Sequence, residues 1–407
     1  MRSLRWPVVD HHLSSTSITK RLADLGSARW TLHFEARRRV AAGEDIIELT
    51  IGEPDVPTPV SLIDVADSAM RAGRTGYAGG RGEPVLVDAI AAKYSKRSGR
   101  EIKQDNVFAF PGTQAALSIC MMAMVEHGDA VLVPDPYYAT YEGVVRATGA
   151  EFIPVPMSAD NGFCLTVEQL ENALVPNARV LLLNSPHNPT GAVLSEQEIA
   201  AIGAFCQKHN LWILSDEVYE DLIYGKPFAS PFDNDDLAER TIVASSISKS
   251  HAAPGFRSGW AVGPGWFITG AQSVAETILF GNQPFIADMT AHALNNSNDT
   301  SKNMAIAYQR RIDVLLELFA DCSALKPLRP DSGMFMVVNV SATGMNGSNF
   351  ARRLLDFGVA VMPGDSFGAQ ALDFIRLSLT VEDENLRRAA QRIVNCAETL
   401  QSGEQST

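Results

Sequence analysis

A regular alternation of short apolar runs with longer helical stretches, between about residues 105 and 265, most limits the fold of this sequence. Seven of the runs are rich in β-branched residues and bounded by turn residues, which predicts buried strands. They read NVFAF, DAVLVPDP, EFIPVPM, ARVLLLN, LWILSD, TIVASS and GWAVGP. Between two of them, Ser195 and Glu198 have the spacing of a helix capping box. The alternation favours an α/β domain with a largely parallel sheet, which binds ligands at the carboxyl ends of its strands.

The chain after about residue 298 has a different pattern. A long predicted helix is followed by two predicted strands and a final helix, in the stretches MAIAYQRRIDVLLELFA, GMFMVVNV, FIRLSLT and EDENLRRAAQRIVNCAETL. This pattern predicts a smaller α+β unit, and 407 residues exceed what one hydrophobic core usually serves. We therefore expect residues 1–55 to form an N-terminal arm and part of the small domain, 56–297 the large domain, and 298–407 the small C-terminal domain.

Composition and charge narrow the function classes. A content of 46% hydrophobic and 20% charged residues is typical of a globular protein. The net charge of −13 disfavours nucleic acid and anionic membrane surfaces as partners, and no apolar stretch is long enough to span a bilayer. The first residues lack the apolar segment of a secretory signal, and five scattered cysteines form no C-x-x-C pair. These features predict a cytoplasmic enzyme or binding protein. His11 and His12 have no third ligand spaced nearby, so no metal site is expected.

Four predicted strands end in polar residues that packing does not explain. The segments after these strands are PGTQAAL, NSPHNPTGA, DEVYEDL and the stretch that contains Lys249. Each has an ordinary structural explanation when taken alone, since NPTG is a good turn sequence and Gly112-Thr113 is a common strand-to-helix turn. Together they form a particular set of ligand-binding groups.

This set matches the parts of pyridoxal phosphate. Gly112 and Thr113 open a helix and present free N–H groups to a phosphate, to which Ser246 and Arg257 add a hydroxyl and a guanidinium. The remaining parts of the cofactor are a ring nitrogen, a phenolate oxygen, an aromatic face and an aldehyde. The residues that suit them are, in turn, Asp216, then Tyr219 with Asn188, then Tyr138, and finally Lys249.

At these residues the chain resembles the class I/II family of PLP-dependent aminotransferases, which have the aspartate-aminotransferase fold (fold type I). The matching motifs run in the family's order from about residue 45 to the C-terminal end. They are G-x-P-D-x-x-T-P at 52–59, Y-x-x-x-x-G at 77–82, N-x-P-x-N-P-T-G at 184–191, D-E-V-Y at 216–219, S-x-S-K-x-x-x-x-P-G-x-R-x-G at 246–259 and R-x-S at 376–378. The resemblance implies a large domain with a mostly parallel seven-stranded sheet flanked by helices, plus a smaller α+β domain.

The resemblance also implies a role for each matching residue. Lys249 is expected to bond the cofactor's aldehyde and to move a proton between the substrate Cα and the cofactor's C4′ carbon. Asp216 is expected to pair with the pyridine nitrogen, Tyr219 and Asn188 to bind the phenolate oxygen, and Tyr138 to stack on the ring. The groups expected at the phosphate are the amides of Gly112, Thr113 and Gln114, with Ser246, Arg257 and, as a weaker candidate, Ser248.

Two further roles concern the substrate and the neighbouring subunit. Arg376 is expected to bind the substrate's α-carboxylate in a bidentate pair, beside the Gly52 backbone and the Asn188 side chain. Tyr77 is expected to reach the phosphate of a neighbouring subunit, which makes a homodimer with shared active sites part of the prediction.

The predicted function is amino-group transfer from an L-amino acid to a 2-oxo acid by ping-pong chemistry. Four stretches are particularly similar to the arginine–pyruvate transaminase branch, which favours a basic or neutral donor with pyruvate as acceptor. They are LNSPHNPTGA, SDEVYEDL, SKSHAAPGFRSGW and LRPDSGMFMVVNVSATG. Aspartate with 2-oxoglutarate is the alternative substrate pair, and a PLP-dependent C–S β-lyase is the alternative reaction. A PLP-binding transcription regulator is disfavoured because fewer than about fifty residues precede the first motif.

Overall fold

The computed structural model describes residues 16–23, 25 and 29–402, so His11 and His12 lie outside the described residues. The strands of this part are β1 (Ile47–Leu49), β2 (Val107–Phe110), β3 (Ala130–Asp135), β4 (Glu151–Pro156), β5 (Ala178–Asn184), β6 (Trp212–Asp216), β7 (Thr241–Ser246), β8 (Gly259–Val262), β9 (Lys326–Leu328), β10 (Phe335–Asn339), β11 (Val359–Pro363) and β12 (Phe374–Ser378). The helices are α1 (Ser17–Leu22), α2 (Thr31–Ala41), α3 (Val60–Arg71), α4 (Pro84–Ser98), α5 (Thr113–Met124), α6 (Tyr141–Thr148), α7 (Val167–Ala173), α8 (Glu196–Lys208), α9 (Ile247–Ser250), α10 (Gly265–Ala275), α11 (Pro284–Asn295), α12 (Asp299–Phe319), α13 (Gly347–Asp356) and α14 (Asp383–Gln401).

Each of the seven predicted runs contains one strand of a seven-stranded sheet. Its order is β2-β8-β7-β6-β5-β3-β4, and only β8 runs antiparallel to its neighbours. Helices cover both faces. On β5, Leu182 packs in the cluster that includes α5, α6 and α10, whereas Leu181 packs in the cluster that includes α8, because successive side chains of a strand point to opposite faces. The predicted capping box is present at the start of α8. The predicted fold class is therefore confirmed.

A second sheet of five strands, in the order β1-β11-β12-β10-β9, has one parallel pair, β1 with β11. Side chains of α12 and α14, including Ile312 and Ile393, share a buried core with this sheet. The predicted long helix begins earlier than its apolar pattern, because the Asn298 side chain accepts a hydrogen bond from the Ser301 amide at 3.1 Å. β1 belongs to this sheet, and the division into residues 1–55, 56–297 and 298–407 stays a prediction.

The carboxyl ends of β5, β6 and β7 meet at one edge of the seven-stranded sheet. Asn184 is paired with Asp216 in the register of β5 and β6, and Asp216 is paired with Ala244 of β7. Arg376 comes to this edge from β12 of the other sheet. In the part of the chain that the structure describes, no helix is long and apolar enough to cross a membrane, and no group of three or more His, Cys, Asp or Glu side chains is placed to hold a metal ion.

Candidate active site

A cleft of about 240 Å³ lies at the carboxyl ends of these strands, between the two sheets. Twelve of the fourteen sequence-predicted site residues line it, and they are Gly52, Thr113, Gln114, Tyr138, Asn188, Asp216, Tyr219, Ser246, Ser248, Lys249, Arg257 and Arg376. Gly112 directly precedes α5 and lies against the Arg257 guanidinium. The structure thus brings together residues that are up to about 320 positions apart in the chain.

Asp216 is a buried carboxylate at the end of β6. Its Oδ2 accepts a hydrogen bond from the Tyr141 hydroxyl at 2.8 Å, and its Oδ1 accepts one from the Val218 amide at 3.2 Å. Burial raises the pKa of Asp216 to about 6, while these two donors and the Lys249 amine act in the opposite direction. A cationic partner in the cleft would stabilise the ionised form of this side chain.

Lys249 lies on α9, the single helical turn after β7. Its Nζ donates a hydrogen bond to the Gly52 carbonyl oxygen at 2.6 Å, which holds the amine inside the cleft. Burial lowers the pKa of Lys249 to about 8, with Arg376 and Arg257 acting in the same direction and Glu53 opposing them. An amine with this pKa is far more available as a nucleophile near neutral pH than an ordinary lysine amine.

Arg376 is 1% exposed and is held from both sheets. It donates from Nη1 to Asn188 Oδ1 at 3.0 Å and from Nη2 to the Thr50 carbonyl oxygen at 2.7 Å. Its guanidinium carbon lies 3.9 Å from the ring centroid of Phe335 and 4.5 Å from that of Phe367. Burial lowers the pKa of Arg376 to about 10. Its Nε is buried and has no hydrogen-bond partner among the described residues, so donors remain for an anion in the cleft.

Asn188 connects Arg376 to Tyr219. The Asn188 side-chain amide donates to the Tyr219 hydroxyl at 3.4 Å, and its backbone amide donates to Asn184 Oδ1 at 2.7 Å. Burial raises the pKa of Tyr219, so its phenol stays protonated near neutral pH. The pair presents a hydroxyl donor and an amide to the same part of the cleft.

The start of α5 and the Arg257 side chain form a cradle for an anion. Gly112 has φ +92°, and a Cβ there would overlap the Arg257 guanidinium, so only glycine allows this approach. The Thr113 Oγ1 is buried and has no hydrogen-bond partner among the described residues. Ser246 is buried, and its Oγ accepts the Ser248 amide at 3.3 Å. Free N–H groups at a helix N-terminus beside a guanidinium suit a phosphate.

The predicted site residues Tyr138 and Tyr77 lie in different environments. Tyr138 lines the cleft, where its ring packs edge-on against Tyr141 with a centroid distance of 5.6 Å. Tyr77 lies outside the cleft. Its side chain is 88% exposed and contacts only one ring among the described residues, that of Phe280 at 5.8 Å.

Sequence reasoning missed several residues of the site. Tyr141 binds the Asp216 carboxylate, and Asn184 donates from its side chain to the Asp216 carbonyl oxygen at 3.0 Å. The Phe335 ring stacks on the Arg376 guanidinium, and Trp30 and Ile51 line the cleft. The only sequence signal for Tyr141 is its place three residues after Tyr138, at the start of a helix.

The donor set fits a phosphorylated aromatic aldehyde. The cleft combines an anion cradle, an amine of lowered pKa and a buried carboxylate that lacks a bonded cation. Two buried polar atoms of residues that line the cleft, Thr113 Oγ1 and Arg376 Nε, have no hydrogen-bond partner among the described residues. Pyridoxal phosphate offers a matching atom to the cradle, the amine and the carboxylate, and the Arg376 donors remain for a substrate.

The family model described as aminotransferase class I and II matches residues 44–393. The chain belongs to this family. As a class I and II aminotransferase it is a transaminase with the fold of the aspartate aminotransferases, and the family implies dependence on pyridoxal phosphate.

Relatives of this aminotransferase differ in the substrates that their names state. It is 40% identical over 386 residues to an arginine–pyruvate transaminase of Pseudomonas aeruginosa, which covers 95% of this chain and 98% of that protein. It is 33% identical over 362 residues to an aspartate/prephenate aminotransferase of Thermus thermophilus, covering 88% and 92%. The solved structure of the Thermus thermophilus aspartate aminotransferase with maleate superposes with a TM-score of 0.89 at 31% identity, covering 94% of this chain and 100% of that one.

Proposed function

We propose that this aminotransferase binds pyridoxal 5′-phosphate in the cleft through the residues described above. The observation that carries the proposal is that the Lys249 amine, the Asp216 carboxylate and the anion cradle line one cavity. When bound, the cofactor supplies an aldehyde that captures the amino group and a ring that accepts electrons from the substrate Cα.

Each side chain then has a defined task. Lys249 would hold the cofactor by condensing its amine with the aldehyde, with release of one water, and would move a proton between the substrate Cα and the cofactor's C4′ carbon. Asp216 holds the proton on the ring nitrogen, since a buried carboxylate gains most from a cationic partner. Tyr219 and Asn188 bind the phenolate oxygen, and Tyr138 covers one face of the ring.

The phosphate is assigned to the cradle at the start of α5. The amides of Thr113 and Gln114 are expected to donate to it, Arg257 to neutralise its charge, and Ser246 and Ser248 to add hydroxyls. The Gly112 amide, also predicted as a donor, instead donates to the Phe110 carbonyl oxygen at 2.7 Å. Arg376 binds the substrate α-carboxylate beside the Gly52 backbone. That assignment uses the donors of Arg376 that are not engaged by Asn188 and Thr50.

We infer a basic or neutral amino donor, with pyruvate as acceptor. The arginine–pyruvate transaminase of Pseudomonas aeruginosa supports this choice. Among the described residues, the only cations that line the cleft are Lys249, Arg257 and Arg376, and each already has a task. A second carboxylate on the donor would find no cation of this chain left to bind it. Aspartate with 2-oxoglutarate is the second candidate pair, supported by the aspartate aminotransferases among the relatives.

A half-reaction separates the transaminase from a β-lyase. A donor amino acid alone, added to the loaded enzyme, is expected to convert the bound cofactor to its pyridoxamine form. Release of ammonia and pyruvate from cystathionine, with no pyridoxamine form, would contradict the transaminase assignment. A panel of arginine, alanine and aspartate against pyruvate and 2-oxoglutarate then identifies the substrates. Preference for aspartate would refute the donor class proposed here.

A homodimer with shared sites completes the proposal. Tyr77 and Phe280 are 88% and 80% exposed and contact each other, and both line a surface cavity with Asn282. Asn282 is buried, yet neither polar atom of its side chain has a partner among the described residues. A second subunit would cover these rings and satisfy this amide. Tyr77 then reaches the phosphate of the neighbouring site.

Mixing Lys249→Ala, expected to be inactive, with Tyr77→Ala, expected to be weakened, tests this arrangement. A dimer of Lys249→Ala and Tyr77→Ala subunits places both lesions in one site and leaves the other complete. Recovery of activity on mixing is expected, up to half that of the unsubstituted sites in each mixed dimer. No recovery, with mixed dimers shown to form, would refute the assignment of Tyr77.

The five free cysteines support the proposed reducing, cytoplasmic location.

A further inference from the structure

The segment that follows β6 alternates between the cleft and the opposite side. Asp216 and Tyr219 line the cleft, whereas Glu217 and Glu220 point toward α4. The Glu217 side chain is completely buried. Its backbone amide donates to the Ala244 carbonyl oxygen at 2.9 Å, and the Glu220 amide donates to the Glu217 carbonyl oxygen at 2.9 Å. The position of the two cleft residues is therefore tied to that of the two glutamates.

Arg97 of α4 binds both glutamates with one nitrogen. Its Nη1 lies 2.9 Å from Glu217 Oε2 and 2.6 Å from Glu220 Oε2, and its Nε lies 2.9 Å from Asp233 Oδ2. The guanidinium also lies over the Tyr94 ring at 4.5 Å. Three carboxylates and the Tyr94 ring thus contact the guanidinium, and two of the carboxylates belong to the segment after β6.

The two glutamates have further partners that limit their movement. Glu217 Oε1 accepts hydrogen bonds from Ser215 Oγ at 3.0 Å and Ser230 Oγ at 2.5 Å. Lys93, one turn before Arg97, lies 2.9 Å from Glu220 Oε1.

Burial opposes ionisation of both glutamates, and their cationic partners offset this effect to different extents. Burial raises the pKa of Glu217 to about 7 against the attraction of Arg97. Burial also opposes ionisation of Glu220, but Lys93 and Arg97 together hold the pKa of Glu220 below its ordinary value. A buried charge that loses its partner is strongly unfavourable. Charge attraction therefore adds to the hydrogen bonds that hold the two glutamates against Arg97.

We propose that Arg97 is a positioning residue for catalysis, which fixes Asp216 and Tyr219 in the cleft by binding the alternate residues Glu217 and Glu220 of the same segment. The inference rests on the cofactor roles proposed for Asp216 and Tyr219. It assigns to α4 a task beyond packing. A displacement of about 1 Å in a group that positions the reaction can cost about 100-fold in rate.

Glu217→Gln tests the proposal, because the glutamine oxygen can still accept hydrogen bonds from Ser215 and Ser230 but the side chain has no charge to pair with Arg97. Asp233→Asn is the matched control, since it also removes one carboxylate from Arg97 but lies outside the segment that carries Asp216. Thermal unfolding midpoints report the structural cost of each substitution. The affinity of the cofactor-free protein for pyridoxal phosphate is measured by titration, and kcat and KM of the loaded enzyme by steady-state kinetics.

We expect Glu217→Gln to weaken cofactor affinity and to lower kcat, each by about tenfold, with an unchanged KM for the amino donor. Asp233→Asn is expected to leave cofactor affinity, kcat and KM at the values of the unsubstituted protein. Equal effects of the two substitutions would overturn the proposal, because the cluster would then contribute stability alone. If Glu217→Gln does not fold, Glu220→Gln decides by the same criteria. An unsubstituted protein that fails to bind the cofactor would instead refute the proposed function.

Discussion

Substitution of Arg376 measures how the substrate's carboxylate is bound. An arginine has five N–H donors. In Arg376, Nη1 donates one hydrogen bond to Asn188 Oδ1 and Nη2 donates one to the Thr50 carbonyl oxygen, while the buried Nε has no partner among the described residues. A carboxylate in the cleft can thus accept two charge-assisted hydrogen bonds, each worth about 1.5–3 kcal/mol. Arg376→Lys keeps a cation but loses one bond of the fork, so we expect KM to rise roughly 10–150-fold.

Arg376→Met removes both bonds and the charge. The same arithmetic predicts a loss of about 3–6 kcal/mol, or about 10²–10⁴-fold in kcat/KM. The assay is steady-state kinetics with several amino donors, because a residue that binds the α-carboxylate affects every donor alike. Cofactor affinity is expected to stay unchanged in both variants. Arg329→Lys, an exposed arginine paired with Asp313 at 2.6 Å, is the control. An effect confined to one amino donor would show that Arg376 recognises the side chain of that donor and not the α-carboxylate.

Three further predictions concern Lys249 and Asp216. Lys249→Ala is expected to abolish turnover and borohydride-stable attachment of the cofactor, detected by mass spectrometry, while the exposed Lys302→Ala changes neither. The rate at which cofactor-free protein combines covalently with the cofactor should rise with pH and reach half of its maximum near pH 8. The reason is that burial lowers the pKa of Lys249 to about 8 and only the neutral amine reacts. A half-maximum near pH 10.5 would contradict this. Asp216→Asn is expected to lower kcat at least about 100-fold with an unchanged circular dichroism spectrum, and a smaller loss would argue against its pairing with the ring nitrogen.

The seven-stranded sheet is predictable because its strands are continuous apolar runs bounded by turn residues. β1 and β9 are not, since three residues are too few to show a strand periodicity. Residues 1–55 are predicted to join the small domain, but the sequence carries no local signal for the pairing of β1 with β11, some 310 residues away.

The candidate site divides in the same way. Lys249, Asp216 and Asn188 follow predicted strands and are found from local motifs. Tyr141 is not, since its hydroxyl reaches Asp216 only through the direction in which α6 leaves the cleft. Arg97 has a sequence context typical of an exposed helix face, and only the packing of α4 shows that it binds buried glutamates. Such residues are set by tertiary contacts, which short motifs do not encode.

Arg376 is carried by the five-stranded sheet, whereas Lys249 and the anion cradle belong to the seven-stranded one. We therefore expect cofactor capture and turnover to return at different times when the denatured chain refolds. Lys249 and the anion cradle form with the seven-stranded sheet, whereas the contacts of Lys249 with Gly52 and of Arg376 with Asn188 form only when the second sheet docks. Cofactor absorbance should then return before catalysis, and the interval between the two reports the docking of the second sheet.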